Sequence, residues 1–380
     1  MSHGHILLVI DHLRGGGAAS QMMILARTLN ANGYRITIFT YHLGSGPHYD
    51  LLCKDGIEVI QCAKGRFKFG IVLALMRLIN KTNYCCIISY LTTPNFYAVL
   101  AKILSKKNIP VLVSERAAIE ANVSLQARLF RAVYFRLCKF VLFNSHDNRK
   151  NTEKLYPFIK NKTQTIYNAI DHLSFKIHEQ FDETDERKIL NILVISTPRP
   201  AKNALCLAEA LRELRDKNKI MPVVQWLGPI DLDDESVRYV DEITAYLTEQ
   251  SLLDQWDWLG YRDDVKSLLA QSDVLVHPSY FEGLPNAICE ALASGLPIIA
   301  SDVCDHPRLI GNNQDRGMLF DPYDSKSLAC SINEFNQLPV KTLNLMRKNA
   351  LEYAGTYLSL EKFSKDYMNI ILKLTNTSNS

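Results

Sequence analysis

One strand–loop–helix–strand unit in the second half of the chain constrains its fold more than any other stretch. Two short apolar runs, at 274–277 and 297–301, enclose a loop that ends in Gly-Leu-Pro at 283–285. Proline suits the first turn of a helix because the helix does not use an amide hydrogen there. The helix would end at Gly295, a typical C-terminal cap, and the proline two residues later prevents its continuation. This order of elements is the repeating unit of a parallel β-sheet.

The same alternation runs through the whole chain. We predict strands at 5–10, 35–41, 57–62, 85–90, 110–114, 140–144, 163–167, 190–196, 222–227, 256–259, 274–277, 297–301 and 317–320. Helical segments lie between most of these runs; at 20–31, for example, apolar side chains recur with the period of a helix. Repeated units of this kind indicate an α/β fold with two Rossmann-like, doubly wound parallel sheets.

The polar, acid-rich segment 171–188 interrupts this alternation and is interpreted as a linker. It separates an N-terminal domain at 1–170 from a C-terminal domain at 189–357. We expect a last helix, at about 358–375, to pack back on the N-terminal domain. Two domains joined in this way leave a cleft between them, and such clefts are favoured ligand sites.

Composition and charge narrow the class of protein. The 380 residues show neither a signal-type apolar start nor a run of the roughly 20 apolar residues that cross a membrane. The nine cysteines are scattered without a Cys-x-x-Cys pair, so we expect reduced thiols and a cytoplasmic protein. Residues 1–180 hold 23 Lys and Arg against 10 Asp and Glu, whereas the remainder holds 20 against 30. The basic half therefore either meets an acidic partner or presents a solvated basic face.

Two loops carry residue types that suit a phosphorylated ligand. Gly15, Gly16 and Gly17 follow the first strand and open the first helix, so backbone amides there can approach an anion or a sugar. The spacing is not Gly-x-Gly-x-x-Gly, so a dinucleotide site is not indicated, and a flexible turn is the alternative. The second loop carries Arg199 and Lys202 ahead of a helix. Two cations at a helix start suit a diphosphate, and an exposed basic loop is the alternative.

Two carboxylates lie in the unit described first, Glu282 in the loop and Glu290 in the helix. Paired carboxylates can act as general acid and base or hold a metal. These two need not face each other, and no Asp-x-Asp lies beside a strand end to complete a metal site. Binding of the vicinal hydroxyls of a ribose or a sugar suits them better, and we expect no metal ligand.

The glycine-rich first loop, the Lys202–Asn203 pair and the segment that begins at Glu282 resemble, in this order, glycosyltransferase family 4. Members of that family are retaining, nucleotide-sugar-dependent enzymes of GT-B fold. The likeness spans nearly the whole chain, because the sequences at 168–171 and 317–320 also match the family pattern. The resemblance implies two Rossmann-like domains that face a central cleft, with the donor site in the C-terminal domain.

The resemblance also implies roles for individual residues. Glu290 would hold the ribose hydroxyls of the donor, and Glu282 the hydroxyls of the transferred sugar. Lys202, with Arg199, would neutralise the leaving diphosphate, which makes Glu282, Lys202 and Arg199 the catalytic candidates. The other donor-binding candidates are Gly16, Gly17, Asn203, Gly283, Leu284, Pro285, Asn286 and Ala287. No cofactor and no obligatory metal are implied.

The chain departs from the family pattern in two informative places. An arginine often stands five positions before the lysine, where Thr197 stands here, whereas Arg199 is only three positions before it. The sequence Ser-Glu-Arg at 114–116 occupies a loop in which histidine is common. This variant is similar to members that act on lipid-linked or cell-surface polysaccharide acceptors. Glu115 and Arg116 are therefore candidates for contact with the acceptor or the donor sugar, and a local salt bridge is the alternative.

A basic and aromatic segment of the first half points to a membrane. Residues 128–139 alternate Arg and Lys with Leu, Phe, Val and Tyr, and a helix of that kind can lie on an anionic bilayer. Nucleic acid is the competing acidic partner, but no nucleic-acid-binding module is recognisable. Burial of the apolar side chains in the core is the other interpretation. We predict peripheral attachment to the inner face of a membrane and no nucleic-acid partner.

The sequence thus predicts a retaining transferase that moves a hexose or N-acetylhexosamine from a nucleotide sugar, with UDP preferred, to an acceptor. The acceptor would be lipid-linked or a surface polysaccharide, as in lipopolysaccharide or capsule synthesis. Two alternatives are a sugar-nucleotide epimerase of the same fold and a non-catalytic protein that binds a nucleotide sugar. The basic first half disfavours the epimerase, and the presence of Glu282, Glu290 and Lys202 disfavours the non-catalytic protein.

Overall fold

The computed structural model describes residues 3–62, 68–116, 125–175, 190–231, 233–311 and 313–376. The chain forms two compact units. The first consists of Met1–Ala169 together with Leu360–Ser380, and the second of Ile170–Ser359. The linker predicted at 171–188 falls for its greater part on residues 176–189, which lie outside the described residues.

Each unit is built on a parallel sheet. The strands of the first sheet are β1 His5–Val9, β2 Arg35–Thr40, β3 Glu58–Gln61, β4 Cys86–Tyr90, β5 Val111–Glu115, β6 Phe140–Phe143 and β7 Thr163–Thr165, in the order β3-β2-β1-β4-β5-β6-β7. Those of the second are β8 Asn191–Ile195, β9 Val223–Leu227, β10 Trp256–Gly260, β11 Val274–His277, β12 Ile298–Ser301 and β13 Gly317–Phe320, in the order β10-β9-β8-β11-β12-β13. The predicted fold class is confirmed, and the predicted strands agree closely with the observed ones.

Helices connect most successive strands, and three more follow the last strand. They are α1 Gly17–Ala31, α2 Pro47–Lys54, α3 Lys68–Lys81, α4 Thr92–Ser105, α5 Leu125–Leu137, α6 His146–Leu155, α7 Ala204–Glu213, α8 Asp234–Glu249, α9 Val265–Gln271, α10 Asn286–Ser294, α11 His306–Ile310, α12 Ser325–Asn336, α13 Val340–Tyr353 and α14 Leu360–Asn376. In the part of the chain that the structure describes, no helix combines the length and the apolar content needed to cross a bilayer.

The central strands are apolar on both faces because helices cover both sides of the sheet. In β1, Ile6 and Leu8 belong to a core cluster that includes side chains of α1 and α14. Leu7 and Val9 point the other way, into a cluster that includes side chains of α3 and α4. The continuous apolar runs in the sequence follow from this two-sided burial.

The last helix, α14, packs within the first unit. Its Phe363, Tyr367, Ile370 and Ile371 are buried in the same cluster as β1. The hydroxyl of Tyr367 lies 2.6 Å from the hydroxyl of Tyr90 at the end of β4. This buried polar pair joins the C-terminal helix to the centre of the first sheet.

Tyr367→Phe is expected to lower the free energy of unfolding by about 1–3 kcal/mol, because it takes the partner from the buried Tyr90 hydroxyl. The double variant Tyr90→Phe/Tyr367→Phe should lie closer to the native protein, since it leaves neither hydroxyl of the pair behind. Denaturant unfolding followed by circular dichroism measures both quantities. Strictly additive losses in the double-mutant cycle would contradict the pairing.

The order of the second sheet brings three loops to one edge. Strands β8, β11 and β12 are neighbours, so the loops that follow them emerge side by side at the carboxyl edge of the sheet. In doubly wound sheets, ligands bind at this edge where the strand order reverses, which here lies between β8 and β11. The predicted Lys202 and Glu282 loops both start from this position.

Candidate active site

Lys202 lies in the loop that follows β8. A short turn, Pro200–Lys202, ends at Asn203, whose backbone adopts a left-handed conformation with φ of 58°. The buried amide of Asn203 donates hydrogen bonds to the carbonyls of Pro278, at 3.2 Å, and Pro322, at 2.9 Å. These bonds tie the loops after β8, β11 and β13 together and so position Lys202. The predicted contact of Asn203 with the donor stays a prediction.

Lys202 meets Glu282, which comes from the loop after β11. The ammonium group of Lys202 donates to Oε1 of Glu282, and the same oxygen lies 3.0 Å from Nε2 of His277. The side chains of Lys202 and Glu282 are 25% and 13% exposed, so a ligand can reach the pair. The structure thus brings together two of the predicted catalytic residues. The sequence analysis missed His277, although a histidine that ends a buried strand at this edge is a usable signal.

Glu282 is held in its ionised form. Burial raises its pKa, but hydrogen bonding and charge interactions with His277 and Lys202 outweigh burial and leave the pKa well below its ordinary value. A carboxylate of this kind accepts hydrogen bonds from ligand hydroxyls and does not serve as a general acid. The sequence had left the acid–base alternative open, and these contacts disfavour it.

A second buried histidine, His306, lies behind the pair at the start of α11. Its ring is T-shaped to that of His277, with 5.4 Å between centroids, and its Nδ1 lies 2.8 Å from the Ser301 carbonyl. Burial lowers the pKa of His306 to about 3, so the ring is neutral near pH 7 and Nδ1 donates to that carbonyl. His306 packs against the ring that orients Glu282, and the sequence analysis had assigned it no role.

Arg199, the other predicted cation, is engaged by acidic residues of the same unit. Its guanidinium donates to Asp233 and lies 3.3 Å from Glu235, in the first turn of α8. Asp233 caps that helix by accepting from the amide of Ser236. The two carboxylates offset the charge of Arg199, and its place in a diphosphate site stays a prediction.

The entry of α10 lies directly after Glu282. Gly283 and Leu284 lead into Pro285, which stands immediately before the first helical residue, Asn286. The amides of a first helical turn have no acceptor within the helix, and the helix dipole favours an anion at this end. Gly295 ends the helix with φ of 73°, as predicted. Contacts of residues 283–287 with a donor stay predictions.

Glu290 lies in α10, one turn into the helix, and is half-buried. Burial raises the pKa of its carboxyl to about 7, against a weaker opposing effect of the Lys266 ammonium. Within the described part of the chain, no hydrogen-bond donor to this carboxyl is recorded. A half-buried carboxyl without a protein donor is suited to accept hydrogen bonds from ligand hydroxyls.

In the first unit, the glycine-rich loop follows β1 and opens α1, as predicted. Gly16 has φ of 88° and ψ of 162°, a conformation that other residues rarely adopt, and α1 begins at Gly17. No described atom lies within 4 Å of where a Cβ would stand at Gly15 or Gly16. The loop therefore presents bare backbone to open space. Contact of Gly16 and Gly17 with a ligand stays a prediction.

Glu115, at the end of β5, is a buried member of a hydrogen-bond network. Its carboxylate accepts from the Tyr134 hydroxyl at 2.5 Å, from Asn95 at 3.1 Å and from Thr92 at 3.3 Å. Nε of Arg131 lies 3.9 Å away. Of the two interpretations that the sequence left open, the local ion pair is the one this geometry favours, and contact with an acceptor or donor sugar stays a prediction.

Arg116 follows Glu115 and is half-buried. It donates to the side-chain oxygen of Asn168 at 2.6 Å, and its guanidinium lies 4.3 Å from the ring centroid of Tyr90. The structure therefore gathers Glu115 and Arg116 at the carboxyl edge of the first sheet. A ligand contact of Arg116 also stays a prediction.

Two family models match the chain in succession. The glycosyltransferase family 4 model matches residues 15–172, and the model for glycosyl transferases group 1 matches residues 175–353. Together they cover most of the first unit and nearly all of the second.

Curated relatives and solved structures agree with these matches. The UDP-Gal:alpha-D-GlcNAc-diphosphoundecaprenol alpha-1,3-galactosyltransferase of Escherichia coli is 34% identical over 151 residues, 40% of this chain and 37% of that protein. The chain thus aligns with little more than a third of the length of the first relatives. The GalNAc-alpha-(1->4)-GalNAc-alpha-(1->3)-diNAcBac-PP-undecaprenol alpha-1,4-N-acetyl-D-galactosaminyltransferase of Campylobacter jejuni is 26% identical over 341 residues, 85% of this chain and 86% of that protein.

The fold is shared with HepE from Anabaena, solved in complex with UDP. The TM-score is 0.80 at 18% identity, over 97% of this chain and 100% of that chain. The family 4 model matches most of the first unit and the group 1 model matches most of the second, which agrees with a two-domain fold of this kind. The chain therefore belongs to the GT-B glycosyltransferases of the family 4 type.

Proposed function

We propose that the protein is a retaining glycosyltransferase. It moves a hexose or N-acetylhexosamine from a nucleotide sugar, with UDP preferred, to a lipid-linked or surface-polysaccharide acceptor. The observation that carries the proposal is the Lys202–Glu282 pair beside the entry of α10, at one edge of the second sheet. A cation, a hydroxyl-binding carboxylate and the amides of a helix start together suit a sugar diphosphate.

The printed names of the relatives support the donor and acceptor classes. The Escherichia coli relative is named for UDP-Gal and a diphosphoundecaprenol-linked sugar, and the Campylobacter jejuni relative for a PP-undecaprenol-linked saccharide. The HepE structure holds UDP on the same architecture. These names favour a UDP-sugar donor and a polyprenyl-diphosphate-linked acceptor for this chain.

In the proposed reaction, the bond between the anomeric carbon and the diphosphate oxygen breaks, and an acceptor hydroxyl forms the new bond on the same face. The acceptor proton passes to the departing diphosphate. Lys202 and the α10 entry stabilise the negative charge that builds on the diphosphate, and each such donor can contribute about 3–4 kcal/mol. Glu282 accepts from hydroxyls of the sugar and Glu290 from those of the ribose, so the proposal needs no carboxylate nucleophile, cofactor or obligatory metal.

A two-stage experiment tests the proposal. Thermal shift with a panel of UDP- and GDP-sugars identifies the donor, because a bound ligand raises the melting temperature by mass action. Transfer to polyprenyl-diphosphate-linked saccharides is then followed by mass spectrometry, and the anomeric configuration of the product by NMR. We expect stabilisation by a UDP-sugar and an α-linked product from an α-linked donor. Isomerised donor without acceptor would favour the epimerase, and binding without turnover the non-catalytic protein.

We also propose that the protein attaches to an anionic membrane through α5. Leu125, Leu129, Val133 and Leu137 recur at four-residue spacing on its outer face and are between 48% and 71% exposed. Exposed apolar stripes of this kind mark interaction surfaces. The exposed Arg136 on the same helix suits anionic headgroups. The Tyr and Phe of this helix at 134 and 135 are buried, so core packing explains these two aromatic residues. It does not explain the exposed apolar residues on the outer face.

Leu129→Ser/Val133→Ser is expected to lower binding to vesicles of anionic phospholipid at least tenfold, because two apolar side chains no longer leave water on binding. Vesicle flotation at low and high salt measures the change. The matched control is Val237→Ser/Leu345→Ser, which alters two similarly exposed apolar residues of the second unit. Equal flotation of the native protein and the α5 variant would contradict the assignment.

A further inference from the structure

The first unit contains a cavity that the proposed sugar-transfer site does not use. Its volume is about 760 Å³, which is in the range of small-molecule sites. It lies at the carboxyl edge of the first sheet, where Asp11 and His42 follow β1 and β2 and Thr92 begins α4. These three residues give the cavity a polar rim.

Most of the remaining lining residues are apolar, and Tyr41, Thr93 and Tyr97 add polar atoms. Val72 of α3, Phe96 and Leu100 of α4, and Phe130 of α5 line the cavity. The rings of Phe96 and Phe130 stack with 4.1 Å between centroids. Eight of the fourteen lining residues have no polar side-chain atom, so a ligand in contact with them buries apolar surface. Hydrocarbon is the group that such walls favour.

The cavity is continuous with exposed apolar surface. Phe69 both lines the cavity and is 61% exposed. Phe130, which also lines the cavity, is followed along α5 by the exposed Val133 and Leu137 of the apolar stripe. A hydrocarbon chain that enters from a bilayer surface would therefore meet exposed apolar side chains beside the cavity.

A cation, Arg131, lies beside the polar rim. Its Nη2 lies 3.5 Å from the hydroxyl of Thr92, and its Nε lies 3.9 Å from the carboxylate of Glu115. A guanidinium has five donors, and those that neither Thr92 nor Glu115 takes suit a diphosphate oxygen. The cavity thus pairs largely apolar walls with a cation beside its rim, which matches a molecule with a hydrocarbon tail and an anionic head.

We propose that this cavity holds the isoprenoid units next to the diphosphate of a polyprenyl-diphosphate-linked acceptor, with Arg131 facing the diphosphate. The identity of the acceptor rests on the function proposed above. The new element is that the enzyme recognises the lipid as well as the saccharide. A saccharide without lipid would leave the cavity unfilled and would be a poor acceptor.

Isothermal titration of farnesyl diphosphate and of inorganic diphosphate tests the cavity without any transfer reaction. We expect farnesyl diphosphate to bind the native protein at least tenfold more tightly than inorganic diphosphate. Leu100→Trp fills the cavity and should abolish this preference. Leu104→Trp, one turn further along α4 and exposed, should retain it. Equal affinities of the native protein for the two compounds, or an unchanged preference in Leu100→Trp, would overturn the proposal.

Phe69→Ser provides a second test if Leu100→Trp does not fold, since Phe69 is exposed and its replacement leaves the core intact. It should lower farnesyl diphosphate affinity several-fold without changing that for inorganic diphosphate. In transfer assays, Leu100→Trp should raise KM for a polyprenyl-linked acceptor at least tenfold and leave kcat unchanged. Absence of transfer from every donor would refute the proposed function alone, because the titrations test the cavity independently.

Discussion

Lys202→Ala is expected to lower kcat for sugar transfer by about two to three orders of magnitude, the loss typical of one removed donor at a developing oxyanion. In the structure, the ammonium group of Lys202 lies at the carboxyl edge of the second sheet and donates a hydrogen bond to Oε1 of Glu282. When a sugar diphosphate enters, the same group can neutralise the charge that grows on the diphosphate as the glycosidic bond breaks. Steady-state kinetics at saturating donor measures the change.

Arg199→Ala is the matched control for this prediction. Arg199 stands three positions before Lys202 on the same loop, but its guanidinium is engaged by Asp233 and Glu235. Because those carboxylates offset its charge, we expect Arg199→Ala to lower kcat less than tenfold. Equal losses in the two variants would place Arg199 in the diphosphate site, and a kcat within fivefold of native in Lys202→Ala would refute the assignment of Lys202.

Loss of folding must be separated from loss of chemistry. Lys202→Ala leaves Glu282 ionised and only 13% exposed, so the variant is expected to unfold more easily. The double variant Lys202→Ala/Glu282→Gln removes both charges and should regain stability. If its melting temperature recovers while kcat stays low, the defect lies in the chemistry. Recovery of both would show that the loss in Lys202→Ala came from the unpaired Glu282 carboxylate, and it would remove both residues from the transfer chemistry.

The strands could be predicted because burial on both faces of a parallel sheet requires continuous apolar runs. The runs at 274–277 and 317–320, for example, coincide with β11 and β13. The helix that carries Glu290, α10, could be predicted equally well, since a proline before it and Gly295 after it are local signals. At these elements, the residues of the segment itself and its immediate neighbours were sufficient to predict where the strand or helix lies.

The partners of the site residues could not be predicted, because they depend on which strands become neighbours. Lys202 and Glu282 are 80 residues apart and meet only because β8 lies beside β11. The engagement of Arg199 by the start of α8 arises in the same way. Glu115 illustrates the reverse case: its position suggested a ligand contact, whereas Tyr134 and Asn95 surround it with donors of the first unit. Sequence patterns locate elements, and the order of strands decides which side chains meet.

Glu290 presents a conflict between stability and binding. Burial raises the pKa of its carboxyl from an ordinary 4.5 to about 7. Between these two pH values the folded protein retains a proton that the unfolded chain has lost, so stability falls as pH rises through this window. Above it, the ionised carboxylate costs about 3 kcal/mol relative to a neutral side chain of the same shape. A group that destabilises the unliganded protein in this way is suited to a ligand that supplies the missing donors.

Glu290→Gln is therefore expected to have opposite effects on stability and on donor binding. At pH 8 the variant should melt several degrees above the native protein, and this difference should shrink towards pH 5.

The affinity of Glu290→Gln for the UDP-sugar should be about 10–100-fold lower at pH 8 than that of the native protein, since hydrogen bonds to a charged acceptor contribute about 1.5–3 kcal/mol each. Native affinity should rise about tenfold from pH 6 to pH 8 as the carboxylate forms, whereas that of the variant should stay flat. Titration should use the UDP-sugar and not UDP, because a terminal phosphate itself titrates near pH 6. A native affinity that is independent of pH would remove Glu290 from the donor site, since the carboxylate would then have no part in binding.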